Sequence, residues 1–180
     1  MGVDTDHNLW DLPMFSSTGW QSLNLAGIRM VSVQRQGVVF ALSSSTTGCT
    51  SPNSPLLILN SSGTGWNSMG KCFNYITGGD GILVGITSAS AMSYSANPNA
   101  SSPTWTSVAG TWESTTAAVY NSSIVYAVRY NALGPLQVYA LNLQTGAQTL
   151  YSDEEQSVFR SIAASVNGYL FVLTSGGLAA

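Results

Sequence analysis

Four short apolar runs recur in one phase along this chain: Gly37-Val38-Val39-Phe40-Ala41-Leu42, Gly81-Ile82-Leu83-Val84-Gly85-Ile86, Ser123-Ile124-Val125-Tyr126-Ala127-Val128 and Gly168-Tyr169-Leu170-Phe171-Val172-Leu173. Their first residues, 37, 81, 123 and 168, are separated by about 44, 42 and 45 residues, the period of repeats built from a few strands each. A second marker keeps the same beat: Gly19-Trp20-Gln21-Ser22-Leu23, Gly65-Trp66-Asn67-Ser68-Met69, Thr104-Trp105-Thr106-Ser107-Val108 and Gly146-Ala147-Gln148-Thr149-Leu150. Two markers in register imply one supersecondary unit copied along the chain.

Within each unit the apolar runs are short and rich in Val, Ile, Tyr and Phe, with Gly, Asn, Ser and Pro between them. That pattern predicts strands and turns. No stretch sustains a 3.6-residue period, so essentially no helix is expected. From Ile28 one unit reads Ile28-Arg29-Met30-Val31-Ser32-Val33, a turn at Arg35-Gln36-Gly37, then Val38 to Leu42. A polar loop, Ser43 to Pro55, leads to Leu56-Leu57-Ile58-Leu59, and Asn60-Ser61-Ser62-Gly63 precedes an outer strand near Trp66. The second run is apolar on both faces, as a strand packed between two neighbouring sheets must be. Four antiparallel strands per unit predict an all-β propeller of about four blades, one domain over 1–180, with units near 28–70, 71–112 and 113–153 and partial units at 1–27 and 154–180.

The two ends lie in complementary phase. Gly2-Val3-Asp4-Thr5 aligns with Gly85-Ile86-Thr87-Ser88, the tail of a second strand, and the chain ends just past the equivalent point at Leu173. The favoured expectation is that the N-terminal strands complete the C-terminal blade and close a ring, which removes open edges. The alternatives are an arc of a larger propeller and pairing of terminal strand edges between copies.

Composition narrows the partners. Of 180 residues only 7% are charged while 44% are hydrophobic, and the net charge is −3. Five Lys and Arg, scattered along the chain, make no basic stripe, so a nucleic-acid partner is not expected. No apolar run approaches the ~18 residues of a membrane span. The opening Met1-Gly2-Val3-Asp4 lacks the basic and apolar regions of a signal peptide. Three sequons, at Asn60, Asn99 and Asn121, fall in predicted loops, where a glycosylation acceptor must lie. With the low lysine content they favour a secreted or cell-surface protein. Cys49 and Cys72 are the only cysteines; they could form one disulfide or remain two buried thiols.

The run Trp20, Ser22, Leu23, Ile28, Val31-Ser32-Val33, Gly37-Val38 and Phe40 resembles the tectonin-type propeller repeat. The opening from Gly2 to Trp10 is similar to that family's strand-turn-strand, and Trp66, Ser68, Gly81 and Ile82 carry the likeness into the next unit. The fourth marker departs from it, with Ala147 in place of Trp, and the loop from Ser43 to Pro55 is long. The resemblance implies carbohydrate recognition at cell surfaces, or protein interaction, without catalysis.

Little in the sequence suggests chemistry. His7 is the only histidine. Asp4-x-Asp6-x-Asn8 echoes the first half of a calcium loop, but Leu9 stands where that loop needs Gly and Phe15 where it needs a carboxylate. Two cysteines and one histidine do not make the usual zinc set. Asp153-Glu154-Glu155 are adjacent, and adjacent carboxylates rarely flank a sugar from both sides. No metal, cofactor or catalytic residue is expected.

The aromatics are the remaining candidates. A pyranose presents an apolar face and a hydroxyl rim, so it is bound by an aromatic plate beside short polar side chains. Trp20, Trp66 and Trp105 recur once per unit beside Gln, Asn, Ser and Thr; a Trp at a fixed repeat position also serves packing between blades. Trp112 breaks the repeat and is expected in a polar loop as a ligand contact, with Tyr94, Tyr130 and Asn131 as weaker candidates. The functional expectation is a lectin-like module that binds neutral glycans or glycoproteins. The alternative is a structural or interaction subunit of a glycosylated surface assembly. The strand register is itself testable: Gly81→Val lowers the melting temperature if Gly81 supplies a positive φ at a hairpin turn, and an unchanged melting temperature counts against the register.

Overall fold

The computed structural model describes residues 1–11, 19–34, 37–129, 136–152, 159–165, 167, 169–174 and 177–179. Their regular structure is entirely β, in five antiparallel sheets. The first holds β1 (Gly2–Val3), β2 (Leu9–Asp11) and β3 (Gln21–Leu25). The second holds β4 (Ile28–Val33), β5 (Val39–Ser43), β6 (Ser54–Leu59) and β7 (Trp66–Phe73). The third holds β8 (Tyr75–Gly79), β9 (Ile82–Ile86), β10 (Met92–Ser95) and β11 (Thr106–Val108). The fourth holds β12 (Trp112–Val119), β13 (Ile124–Arg129), β14 (Gln137–Asn142) and β15 (Gln148–Ser152). The last holds β16 (Phe159–Ala164), β17 (Leu170–Thr174) and β18 (Gly177–Ala179). Each sheet is a meander in chain order. The first strands β4, β8, β12 and β16 contact one another in succession, while later strands lie outward. That is a propeller's radial stacking.

The repeated apolar run is the second strand of the last four sheets, and in the three four-stranded sheets the second marker leads into the fourth strand. Side chains alternate along a strand, so the second strand feeds two cores. Phe40 and Leu42 of β5 join Ile76 and Leu83 of the next sheet. Val84 and Ile86 of β9 join Val125 and Ala127 of the sheet after it. Val128 of β13, with Tyr126 packed alongside, joins Ile162 and Leu170 of the last sheet. Residues three and five places after the start of each run thus face forward, and residues two and four places after it face back. At roughly 25 cal/mol per Å² of buried apolar surface, these interfaces are the main stabilising term.

Polar clamps reinforce the two interfaces of the third sheet, with the second and with the fourth. Arg29 Nη2 donates to the Asn74 carbonyl at 2.7 Å and Gln34 Nε2 to the Ile82 carbonyl at 3.2 Å. The Ser88 amide donates to Asn53 Oδ1 at 2.8 Å. The Tyr75 hydroxyl donates to the Ala117 carbonyl at 3.0 Å, and burial pushes the Tyr75 pKa up. Gln148 Nε2 reaches back to the Ala109 carbonyl at 2.8 Å. Each bond joins consecutive sheets and satisfies a backbone group that packing would otherwise strand.

Local chemistry fixes the turns. Gly79 pairs with Ile82 across a two-residue hairpin in which Asp80 has φ 45° and Gly81 φ 83°. Asp-Gly suits that turn because both central residues need positive φ. Cys49 and Cys72 are bonded, with Cα atoms 5.7 Å apart, which ties the long loop before β6 to β7.

The ends depart from the expected closure. Among the described residues β1 pairs with β2, and β18 with β17, in separate sheets. Short local hairpins form at both ends instead of one long-range pairing, which carries the larger loop-closure cost. The C-terminal run also continues into a third strand, β18, beyond the expected two.

Gly85 is the tightest point between sheets: an added Cβ would lie 2.5 Å from the Phe73 ring. Gly85→Ala is expected to destabilise the protein by about 1–3 kcal/mol through overpacking, measured by urea denaturation.

Candidate functional site

The fold separates the aromatic candidates into packers and exposed groups. Trp112 is fully buried at the start of β12, which corrects its expected place in a polar loop. A register shift between Trp112 and Ala117 sets it opposite Arg129. There it joins the core with Val84 and Val125, stands edge-on to Tyr139 at 6.3 Å and lies under the Arg129 guanidinium at 5.9 Å. A ligand cannot reach it. Trp105 is half-buried and packs on the Phe73 ring with centroids 5.1 Å apart. Trp66 is half-buried, and its indole N–H is buried. The Tyr94 hydroxyl donates to the Leu143 carbonyl at 2.9 Å, another clamp between sheets. Among the described candidates only Trp20, 55% exposed, offers an open plate. Tyr130 and Asn131, like the acidic run 153–155, lie outside the described residues.

The sequons sit in turns, as expected. Asn60 Oδ1 accepts from the Thr64 amide at 3.0 Å and from the Ser62 hydroxyl at 2.9 Å. Asn121 Oδ1 accepts from the amides of Ser123 and Ile124 at 2.8 and 2.9 Å. Asn99 is exposed.

Three concave regions stand out. The largest, about 580 Å³, lies between the second and third sheets. Val38, Ile58 and Met69 give it apolar surface, and Asn67, Ser68, Asn99 and Ser101 rim it with amides and hydroxyls. A second, about 390 Å³, lies between the third and fourth sheets and carries Tyr94, Ser107, Asn142, Gln144 and Gln148. Among the described residues neither is lined by a charged side chain. A third, about 330 Å³, is mostly apolar and is formed by Gly2, Val3, Asp4, Trp10 and Trp20.

Among the described residues Asp4 is the one carboxylate in these regions, and the turn already occupies it. Its Oδ1 accepts from the backbone amides of Asn8 and Asp6 at 2.9 and 3.0 Å, and its Oδ2 from the Trp10 indole at 2.7 Å. The Asp4-x-Asp6-x-Asn8 run is therefore a turn staple. These bonds, the Asn8 amide foremost and then the Trp10 indole, hold the Asp4 pKa at about 2, below its ordinary 3.8. No group of three His, Cys, Asp or Glu able to hold a metal occurs among the described residues.

No protein-family model matches the chain, and no curated protein does. Solved structures do match it. YCF48 bound to D1 peptide superposes with a TM-score of 0.60 and 17% identity, over 89% of this chain and 53% of that one. A puromycin hydrolase mutant complexed with PGG gives 0.58 and 12%, over 87% and 27%. TolB from Acinetobacter baumannii gives 0.55 and 11%, over 91% and 45%. At these identities the likeness shows the fold: this is an all-β propeller structure. It does not extend to the tectonin-type repeat. The chain spans about half or less of the length of each of these proteins.

The staple predicts a pH dependence. A folded carboxyl titrating near 2 against 3.8 unfolded stabilises the protein fully above the unfolded value, and that contribution is lost as pH falls through the folded one. The Trp10 indole N–H resonance should shift with a midpoint near 2, and Asp4→Asn should abolish that titration.

Proposed function

We propose that the chain is a non-catalytic interaction module that holds an extended, uncharged stretch of a partner protein in the groove over Ile58 and Met69. One observation carries this reading: the largest of the three concave regions described pairs apolar surface with an amide and hydroxyl rim on which no described residue is charged. Such a site rewards apolar side chains and backbone amides together. It penalises an ionised group, which would be desolvated without a partner. Among the described strands the rim strand β7 ends its sheet, and an added strand could pair along its outer edge. The complex of the YCF48 propeller with D1 peptide is in keeping with this reading. The disulfide and the three sequons support a setting outside the cell.

A lectin-like reading stands second, because Trp20 remains an exposed plate beside Trp10. It is weaker than the sequence suggested. Trp105, Trp112 and Tyr94 are engaged in packing, which leaves few of the stacking surfaces a sugar needs.

Phage-displayed short peptides and an array of neutral glycans separate the two. Uncharged peptides should be retained, and Asn67→Lys, at an exposed rim position, should weaken them about tenfold or more, roughly 1.4 kcal/mol. Retention of glycans alone, abolished by Trp20→Ala, would replace this reading with the lectin one.

A further inference from the structure

The propeller's own repeat identifies an interface that the described strands leave open. Three places after the start of each second-strand run stand Phe40, Val84 and Tyr126, and five places after it stand Leu42, Ile86 and Val128. In all three complete sheets these residues face forward and are covered by the next sheet. Phe40, Leu42, Ile86 and Val128 are 0% exposed. The equivalents in the last sheet are Phe171 and Leu173, which are 39% and 43% exposed. Tyr169, on the same face two residues earlier, is 65% exposed. The opposite face of that strand is used normally, with Leu170 and Val172 packed on the fourth sheet.

The rear face of the first sheet is the matching half. Val3 and Leu9 pair across β1 and β2, and Leu9 is fully buried, so this face is the covered one. Gly2 and Trp10, also paired, occupy the other face and line the apolar 330 Å³ hollow with Trp20. Gly2 aligns with Gly85, where the Phe73 ring of the preceding sheet seats on the glycine. At Gly2 the Trp20 ring lies 3.5 Å from an ideal Cβ position instead, and the space that a preceding sheet would fill is the hollow.

We propose that these faces bind each other between two copies of this chain, head to tail. The forward face of one last sheet, Phe171 and Leu173, packs on the rear face of the next copy's first sheet, around Trp10 and Trp20. The occupant follows from continuity: three times within the chain a forward face of this composition meets a rear face of this kind, and a second copy brings the missing rear face with it. The contact is heterologous, so it joins unlike patches and builds a ring or a filament according to the rotation between copies. It uses sheet faces, in contrast to the pairing of terminal strand edges between copies that the sequence offered as an alternative.

The test is the native mass of the 180-residue chain by light scattering across a concentration series. Association that strengthens with concentration is expected. Phe171→Ser, Leu173→Ser and Trp20→Ser should each weaken it about tenfold or more, the value of burying one large apolar side chain. Melting curves of the three variants monitor the fold, and Phe171→Tyr should retain association. A mixture of Phe171→Ser and Trp20→Ser should associate better than either alone, because one intact interface survives between unlike chains. A monomer at all concentrations would overturn the proposal. So would association untouched by Phe171→Ser and Leu173→Ser, or a form sensitive to Phe171→Ser but not to Trp20→Ser, which would indicate a symmetric pairing of like faces.

Discussion

In each four-stranded sheet the second strand supplies side chains to two interfaces at once, and the rest of the molecule depends on this double burial. The alternation of a β-strand sends Phe40 and Leu42 one way and Val39 and Ala41 the other, and all four are essentially inaccessible. Among the described residues no sheet has a core of its own. The apolar clusters lie between sheets, so a sheet is stable only between neighbours, and the radial order of strands follows from the need to stack second strand against second strand.

That constraint explains where small residues and polar clamps fall. The rear-facing position holds Ala41, Gly85 and Ala127, small enough for a large side chain from the preceding sheet to seat there, as Phe73 does on Gly85. Tight stacking would leave carbonyls at strand ends without water. Arg29, Gln34, Tyr75, Tyr94 and Gln148 each donate to such a carbonyl on a neighbouring sheet. With 7% charged residues, the protein makes these links mainly with neutral donors, which bury at lower cost than ions.

The same logic accounts for the grooves. Sheets that converge at their first strands diverge towards their fourth, and the wedge between them widens outward. The rims of these wedges come from outer strands and from loops such as 98–103, where Asn, Ser and Thr predominate. Their neutrality follows from composition. Their shape depends on the angle between sheets and on a loop that Asn97 clasps at its neck, its Oδ1 accepting from the Thr104 amide and hydroxyl at 3.1 and 3.0 Å.

Much of this fold was legible in the chain because its determinants are local and repeated. The period of the apolar runs, the Asp80-Gly81 turn and the absence of helical periodicity set the strands and their order. The site was less legible. Trp112 reads as a loop residue beside Thr111 and Glu113, yet a register shift in β12 places it under Arg129, a long-range event without a local signature. Asp4 reads as half of a calcium loop, yet its oxygens meet the Asn8 amide and the Trp10 indole only once β1 and β2 pair. Strand phase and burial thus belong to the sequence itself, since alternation and turn propensity act over a few residues. Which aromatic is exposed, which groove is open and which sheet face lacks a neighbour were decided by tertiary structure alone, because each depends on residues tens of positions apart meeting across an interface.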